Sequence, residues 1–535
     1  MEPLTVPAAP TVARPNLDHA AHPGAVVGFF SILAIALFFV AYSIYSDMRE
    51  TGAGPTTFLP FVLLGVALLV ALGFEFVNGF HDTANAVATV IYTHSLPANF
   101  AVTWSGLFNF LGVLNSSGAV AYGIVALLPV ELILQVGSSA GFAMVFALLI
   151  GAIIWNLGTW WLGLPASSSH TLIGSIIGVG LANQMMATGN AASGVDWLQA
   201  QKVGITLLVS PLVGFFASAL LLLLLKLLVR RPELYAEPRA GSTPPLWIRG
   251  LLILTCTGVS FAHGSNDGQK GMGLIMLILI GVVPTAYALN RSMPERDMRP
   301  FFNASSAAVL VLQQNSTVRA PTGDPRETVG QYLRTKTFTP EVMPALAAIA
   351  GDIKGQLQRY GSVRRVPLAS VTNVRNDMYL MAESIKRIAK EKDAKLSKDD
   401  LDVLAVYRGD LERATRFIPT WVKIAVAIAL GLGTMVGWKR IVITVGEKIG
   451  KTHLTYAQGA SAELVAAATI AAADMYGLPV STTHVLSSGV AGTMAANRSG
   501  LQLATVRNLA MAWVLTLPAA IVLAGSLFFL FRKIF

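Results

Sequence analysis

Two short stretches place acids inside apolar sequence. NGFHDTANAVA, residues 78–88, carries Asp82, and HGSNDGQKGMG, residues 263–273, carries Asp267. Two more gather hydroxyls beside a histidine. LPASSSHT at 164–171 holds Ser167, Ser168, Ser169 and His170, and LPVSTTHV at 478–485 holds Ser481, Thr482, Thr483 and His484. A charge at the centre of a bilayer costs at least ~2.5–3.5 kcal/mol on insertion scales, so an acid there is a functional candidate by default. Between residues 51 and 201 the charged side chains are Glu75, Asp82, Glu131 and Asp196, all acids. Asp82 must therefore find its partner elsewhere: in Lys270, three residues past Asp267, in a proton, or in a bound cation. A fixed Asp82–Lys270 pair that only holds the chain together is the plainer reading. It leaves a second Asp, four His and two hydroxyl clusters without a use. The chemistry on offer is cation uptake by carboxylates next to oxyanion binding by hydroxyls, amides and a lysine.

Hydroxyls at a helix start suit that task, because side-chain O–H and free backbone N–H groups converge on the same oxygens. Pro165 and Pro479 stop the preceding segments. The Ser/Thr triplets then open helices, with one hydroxyl as cap and the others available. Gly79 and the glycines flanking Asp267 predict a helix break at each Asp, exposing a positive dipole end. Asp82 or Thr83 would cap the restarted helix. Thr83 and Asn85 in the first stretch and Asn266 and Gln269 in the second add polar groups. Of eight His, four (His81, His170, His263 and His484) fall in these stretches. They can donate to an oxyanion, relay protons or orient the two Asp. No His/Cys spacing matches a known metal pattern, so a resident metal is undetermined. Asn109 in LFNFLG and Glu463 in SAELVAAATI lie between the acid and hydroxyl stretches of their own half and join the candidates for cation coupling. An interhelical hydrogen bond is the simpler role for Asn109.

The order acid, hydroxyl, acid, hydroxyl reads as a duplication. It aligns Asp82 with Asp267, Ser168 with Thr482 and His170 with His484. Duplicated membrane halves are often inverted about an axis in the bilayer plane, with the site at their interface. The chain has 535 residues, 54% hydrophobic and 13% charged, against about 25% charged in soluble domains. Several apolar windows exceed the ~18 residues of a span. The predicted class is an all-α polytopic membrane protein, with about 10–12 transmembrane helices in two inverted repeats with broken or re-entrant helices.

Residues 1–24 read as a disordered Pro/Ala-rich tail and 25–46 as an extra N-terminal span without the features of a signal peptide. The first repeat covers 57–225, and 226–249 is a basic cytoplasmic linker. The second repeat covers 250–290 and 417–535, interrupted by a polar, mostly helical insert at 291–416. The net charge of +10 reflects topology rather than nucleic-acid binding. The insert holds 21 basic against 15 acidic side chains, and basic loops favour the cytoplasmic face. The single cysteine, Cys256, excludes an intrachain disulfide.

NGFHDTANAVATVIYT, NLGTWWLGLPASSSHTLIGSIIGVGL, FAHGSNDGQKGMGLIMLILIG, GEKIGK, TYAQG and GLPVSTTHVLSSGVAGTM closely resemble the bacterial low-affinity inorganic phosphate transporters of the Pit type, in the PiT family. The likeness runs from about Phe58 to the C-terminus and is weakest over the insert. It implies a multi-pass symporter of the bacterial inner (plasma) membrane that imports inorganic phosphate, with arsenate as a mimic. It implies proton coupling, a divalent metal–phosphate complex such as that of magnesium as cargo, sodium in other branches, a homodimer, no cofactor and no enzymatic activity. By motif match Asp82, Asn85, Asp267 and the clustered hydroxyls would line the phosphate site. Asn109 and Glu463 fall where the wider family has acidic residues, and Asn109 is neutral. Gln269 and Lys270 stand where the first repeat has Ala84 and Asn85. The competing readings are a sodium-coupled or other oxyanion permease, a passive anion channel, and an intramembrane metalloenzyme built on the four His.

Overall fold

Uncharged apolar runs become long helices, because a helix satisfies its own backbone where no water is present. The computed structural model describes residues 15, 17, 22–50, 58–82, 84–187, 194–238 and 243–534, without the side chains of 58, 59, 84 and 85. Thr83, the side chain of Asn85 and most of the 1–24 tail lie outside the described residues.

The first half runs through α1 (Pro23–Glu50), α2 (Phe58–Asp82), α3 (Ala84–Tyr92), α4 (Ala98–Asn115), α5 (Ala119–Val125), α6 (Ser139–Trp161), α7 (Ser168–Met186) and α8 (Trp197–Leu228). The chain continues with α9 (Leu246–Val282). It then enters a helical region of α10 (Met298–Gln314), α11 (Pro325–Thr335), α12 (Val342–Tyr360), α13 (Val371–Ile388) and α14 (Lys398–Thr415). It returns through α15 (Thr420–Thr434), α16 (Tyr456–Met475), α17 (Thr482–Ala496) and α18 (Leu503–Ile534). Among the described residues, six helical stretches are long and apolar enough to cross a membrane: α1, residues 60–92, α6, α8, α9 and α18. The number is eight if two bent pairs are each one span, α4 with α5 at 77° and α14 with α15 at 73°. Gly118, at φ +86°, makes the first of these bends. Phe38, Leu208, Phe216, Val514 and Val522 are each more than 60% exposed on α1, α8 and α18. Such an apolar belt suits lipid and not water.

The two halves exchange partners in matching fashion. Helix α7 packs on α18 of the other half, and α17 packs on α8; likewise α4 packs on α9 and α15 on α2. Glycines allow these close crossings. A Cβ at Gly178 would lie 2.2 Å from the Ile521 carbonyl, and one at Gly492 2.1 Å from that of Phe215. Gly178 follows Ser168 by ten residues, as Gly492 follows Thr482. At the other crossing, Cβ atoms at Gly79 and Gly264 would lie 2.2 and 2.1 Å from the carbonyls of Leu430 and Asn109. Both glycines precede their Asp by three residues. Equivalent offsets meeting equivalent surfaces are what a duplicated, interlocked pair of halves requires.

One expectation fails here. The stretch around Asp267 does not break its helix: α9 is continuous from Leu246 to Val282. Its glycines serve packing instead. Gly264 lies on Asn109, Gly268 on Val113, Gly271 on Glu75 and Gly273 on Ala121. Each costs helix propensity of up to ~1 kcal/mol relative to Ala, offset by a closer approach of a neighbouring helix. The break expected at Asp82 falls on Thr83, between the end of α2 and the start of α3, and lies outside the described residues.

Helices α10–α14 surround their own apolar core, including Phe301, Tyr332, Ile349, Met378 and Tyr407. They dock on the membrane part through both apolar and polar contacts: Val130, Leu134 and Ile280 pack against this core, and the Arg375 guanidinium donates to the Ile133 carbonyl at 3.4 Å.

Candidate functional site

The two hydroxyl triplets each start a helix. Ser167 caps α7 by accepting from the His170 N–H at 3.2 Å, and Ser481 caps α17 by accepting from the His484 N–H at 3.1 Å. The first hydroxyl of each triplet is thereby committed to its backbone. Ser169 donates to the Val480 carbonyl at 2.8 Å, tying the start of α7 to the loop that leads into α17. The rings of His170 and His484 lie 4.5 Å apart, and His484 stacks on Trp513 of α18.

Between the two helix starts lies a buried charged cluster built from both halves. Asp82 accepts from Ser168 through Oδ2 at 2.6 Å and from Thr483 through Oδ1 at 2.7 Å. The His81 Nδ1 lies 3.1 Å from Asp82 Oδ1, and its Nε2 lies 3.1 Å from Thr159 Oγ1. A ring protonated at Nδ1 donates to Asp82. Lys270 donates to Asp267 Oδ2 at 2.5 Å and to Ser168 Oγ at 2.9 Å. Ser168 has a single proton, and the 2.6 Å contact assigns it to Asp82. The 3.4 Å contact to Asp267 is then the weak arm. The lysine that the first half lacks thus comes from the second. It pairs with Asp267 and reaches Asp82 only through the serine hydroxyl. The copies are unequal: the aligned residues are Ser168 and Thr482, but the hydroxyls on Asp82 belong to Ser168 and Thr483.

Next to this cluster, His263 Nδ1 lies 2.6 Å from Asn109 Oδ1, and Asn109 Nδ2 donates to Thr434 at 3.4 Å. With the amide so oriented, His263 donates from Nδ1. Its Nε2 then faces Asp267 Oδ2 at 3.4 Å. Two acceptors oppose each other there unless a proton sits on the ring or a cation lies between them. The ligand atoms of Asp82, His263 and Asp267 lie within 4.8 Å of one another. Two carboxylates at that spacing repel by about 3 kcal/mol at an effective dielectric constant of ~20. Asp82, Asp267 and Lys270, all buried, carry one net negative charge when ionised. This donor set can hold a small cation. Asp267 Oδ1 and Thr482 Oγ1 are buried without a hydrogen-bond partner among the described residues.

Other candidates stand apart. Asn266 donates to the Leu478 carbonyl and accepts from the Val480 N–H. Gln269 bonds to the Val120 N–H, the Ser265 carbonyl and Asp474. Both amides brace the surroundings of the cluster with their polar atoms already engaged. Glu463 lies between α3 and α9, where Thr89 donates to one oxygen and Thr255 to the other, the latter at 2.5 Å. Thr255 precedes Asp267 by 12 residues of α9, about 18 Å along the axis. Thr83 and the Asn85 side chain fall outside the described residues. Sequence reasoning did not find Thr159, Thr434, Thr89 or Thr255, the partners of His81, Asn109 and Glu463. A lone Thr in an apolar helix gives no local signal. Glu75 was visible as an acid but had no assigned neighbour.

The sequence model of the phosphate transporter family matches residues 78–524. The low-affinity inorganic phosphate transporter PitA of Escherichia coli strain K12 is 42% identical over 486 residues, which cover 88% of this chain and 96% of that protein. The low-affinity inorganic phosphate transporter of Buchnera aphidicola subsp. Acyrthosiphon pisum is 38% identical over 497 residues, 91% of this chain and 98% of that protein. A solved structure, the sodium-dependent phosphate transporter, matches with a TM-score of 0.50 at 19% identity, covering 89% of this chain and 100% of that one. That last likeness is one of fold. The match extends over most of the sequence and takes in both carboxylates, both hydroxyl triplets and the lysine between them, and the chain belongs to the phosphate transporter family.

Proposed function

We propose that this multi-pass membrane protein imports inorganic phosphate by symport with protons, with the cargo held where the two halves meet. Family membership makes it a transporter and not an enzyme. The observation that carries the reading is the uncompensated charge of the cluster. Two buried carboxylates share one lysine, and the His263 ring faces Asp267 without room for two bare acceptors. A phosphate anion cannot settle beside a net negative cluster. Uptake of a cation first makes the site competent, and this order ties anion movement to cation movement.

In this mechanism Lys270, Thr482, Thr483, Ser168 and the starts of α7 and α17 face the phosphate oxygens, while Asp82, Asp267 and His263 take up the positive charge. Glu463, about 18 Å further along α9 by helical rise, serves as a second station for the coupling ion. The same carboxylate pair suits a divalent ion travelling with phosphate, as in a neutral magnesium–phosphate complex. Arsenate, alike in shape and charge, competes. The protein acts in the bacterial inner membrane, as a homodimer. Sodium coupling is the alternative, since a carboxylate–imidazole set accepts either ion.

Phosphate uptake into proteoliposomes under an imposed pH gradient or sodium gradient, with and without magnesium, tests the reading. Accumulation driven by protons and competed by arsenate but not sulfate is expected. Accumulation driven by sodium alone would replace protons with sodium. Equilibration without accumulation under either gradient would refute symport.

A further inference from the structure

Glu75 is a fully buried acid that the phosphate site does not use. It lies on α2 and packs against α9 of the other half. Its Oε1 accepts the Gly271 backbone N–H at 2.6 Å, and Asn78 Nδ2 approaches Oε2 at 3.4 Å. No basic side chain forms an ion pair with it among the described residues. The fit to Gly271 is close: a Cβ there would lie 2.4 Å from Glu75 Cγ. Gly271 directly follows Lys270, so the carboxyl rests on the stretch of α9 that carries the site's lysine.

The charged groups acting on Glu75 are Lys270 and Asp267, both on α9. The other elements packed on α2 add little. Helix α6 carries no acid or base, and Lys423 of α15 is bound to the Ser116 carbonyl. Tyr92 of α3 donates to Glu447, and the His170 ring of α7 lies on His484.

We propose that Glu75 is a proton-carrying carboxyl of the transport cycle, protonated and released at the contact between the two halves. The inference rests on the proton-symport reading above. Two features beyond burial support it. First, both protonation states can be satisfied. The ionised form accepts from Gly271 and from the Asn78 amide. The neutral form keeps its carbonyl oxygen on Gly271 and donates O–H to Asn78 Oδ1, a buried oxygen without a hydrogen-bond partner among the described residues. A turn of the Asn78 amide is all that separates the two. Second, the bond to Gly271 bridges the halves, and a charge-assisted bond is roughly twice as strong as a neutral one. Binding a proton therefore loosens a contact that must change when the halves rock. The proton enters from solution on one side, forms the O–H bond, and leaves to the other side; no other group is consumed.

The experiment uses the full-length protein in proteoliposomes with radiolabelled phosphate. Glu75→Gln should lose accumulation driven by a pH gradient, while phosphate–phosphate exchange at equal pH continues near the wild-type rate. Glu75→Asp should retain accumulation with a displaced pH profile. Wild-type-like accumulation by Glu75→Gln would overturn the proposal. So would loss of exchange in Glu75→Gln together with an unshifted pH profile in Glu75→Asp, the pattern of a purely structural residue. Failure of the wild-type protein itself to respond to a pH gradient would sink the symport reading and is read separately from either variant.

Discussion

Lys270 is fully buried and supplies the positive charge shared by two carboxylates, so replacing it with methionine is a sharp perturbation. The side chain keeps its unbranched shape and most of its length, and loses its charge. The variant gives up the 2.5 Å pair with Asp267 and the 2.9 Å bond to Ser168. Removing one partner of a buried pair costs about 3–5 kcal/mol, because the other charge is left unpaired. Removing Asp267 as well cancels that penalty. Lys270→Met should therefore lower the stability of the purified protein substantially, and Asp267→Asn/Lys270→Met should recover much of the loss. The expected coupling energy between the two sites is about 2–3 kcal/mol. Thermal unfolding of the detergent-solubilised single and double variants, followed by size-exclusion fluorescence, gives the comparison. Both variants should fail to accumulate phosphate, since the cationic donor is gone in each. A double variant no more stable than Lys270→Met would refute the pairing. Phosphate accumulation by Lys270→Met at the wild-type rate would refute the lysine's place in the site.

Thr483→Ala removes the 2.7 Å donor to Asp82; loss of a bond to a charged group, worth about 1.5–3 kcal/mol, should weaken phosphate uptake at least tenfold, with Thr483→Ser close to wild type, and equal activity of the Ala and Ser variants would count against the contact. Gly264→Ala would place a Cβ 2.1 Å from the Asn109 carbonyl, so it should destabilise by about 1–3 kcal/mol or more, whereas Gly250→Ala, with open space around it, should be neutral or stabilising by melting temperature. In α14, Ser397 and Asp400 form a capping box that holds the Asp400 carboxyl below its usual range. Its stabilisation of this helical region is present above the ordinary Asp value of about 4 and is lost as pH falls below it; Asp400→Asn should flatten that acid limb in a stability–pH series.

Several features were legible in the sequence for physical reasons. Acids without basic neighbours pointed to a site, and Pro followed by Ser/Thr announced the caps formed by Ser167 and Ser481. The matched order of the stretches gave the duplication. Glycine around Asp267 was misread. The residue that permits a broken helix also permits a close crossing, and local sequence does not separate the two. What decides is the surface opposite, and Asn109 and Glu75, the surfaces facing Gly264 and Gly271, lie more than 150 residues away. The amides of Asn266 and Gln269 illustrate the same limit: beyond the Ser265 carbonyl one turn away, their partners are the Leu478 carbonyl, the Val480 and Val120 N–H groups and Asp474, none of which periodicity reveals. Glu463 was visible as an intramembrane acid, but its separation from the Asp82 cluster emerges only once α9 is seen to be continuous.

The exchanged packing of α7 and α18 has a consequence for biosynthesis. Gly178 meets Ile521, a residue 343 positions later in the chain. At translation rates of ~5–20 residues per second, the glycine face of α7 waits roughly 20 to 70 seconds for its mate to leave the ribosome. In that interval the glycine face of α7 has no mate, and the insertion machinery or lipid must shelter it. A nascent chain halted before α18 leaves the glycine face of α7 uncovered, which makes α18 the helix that completes this packing.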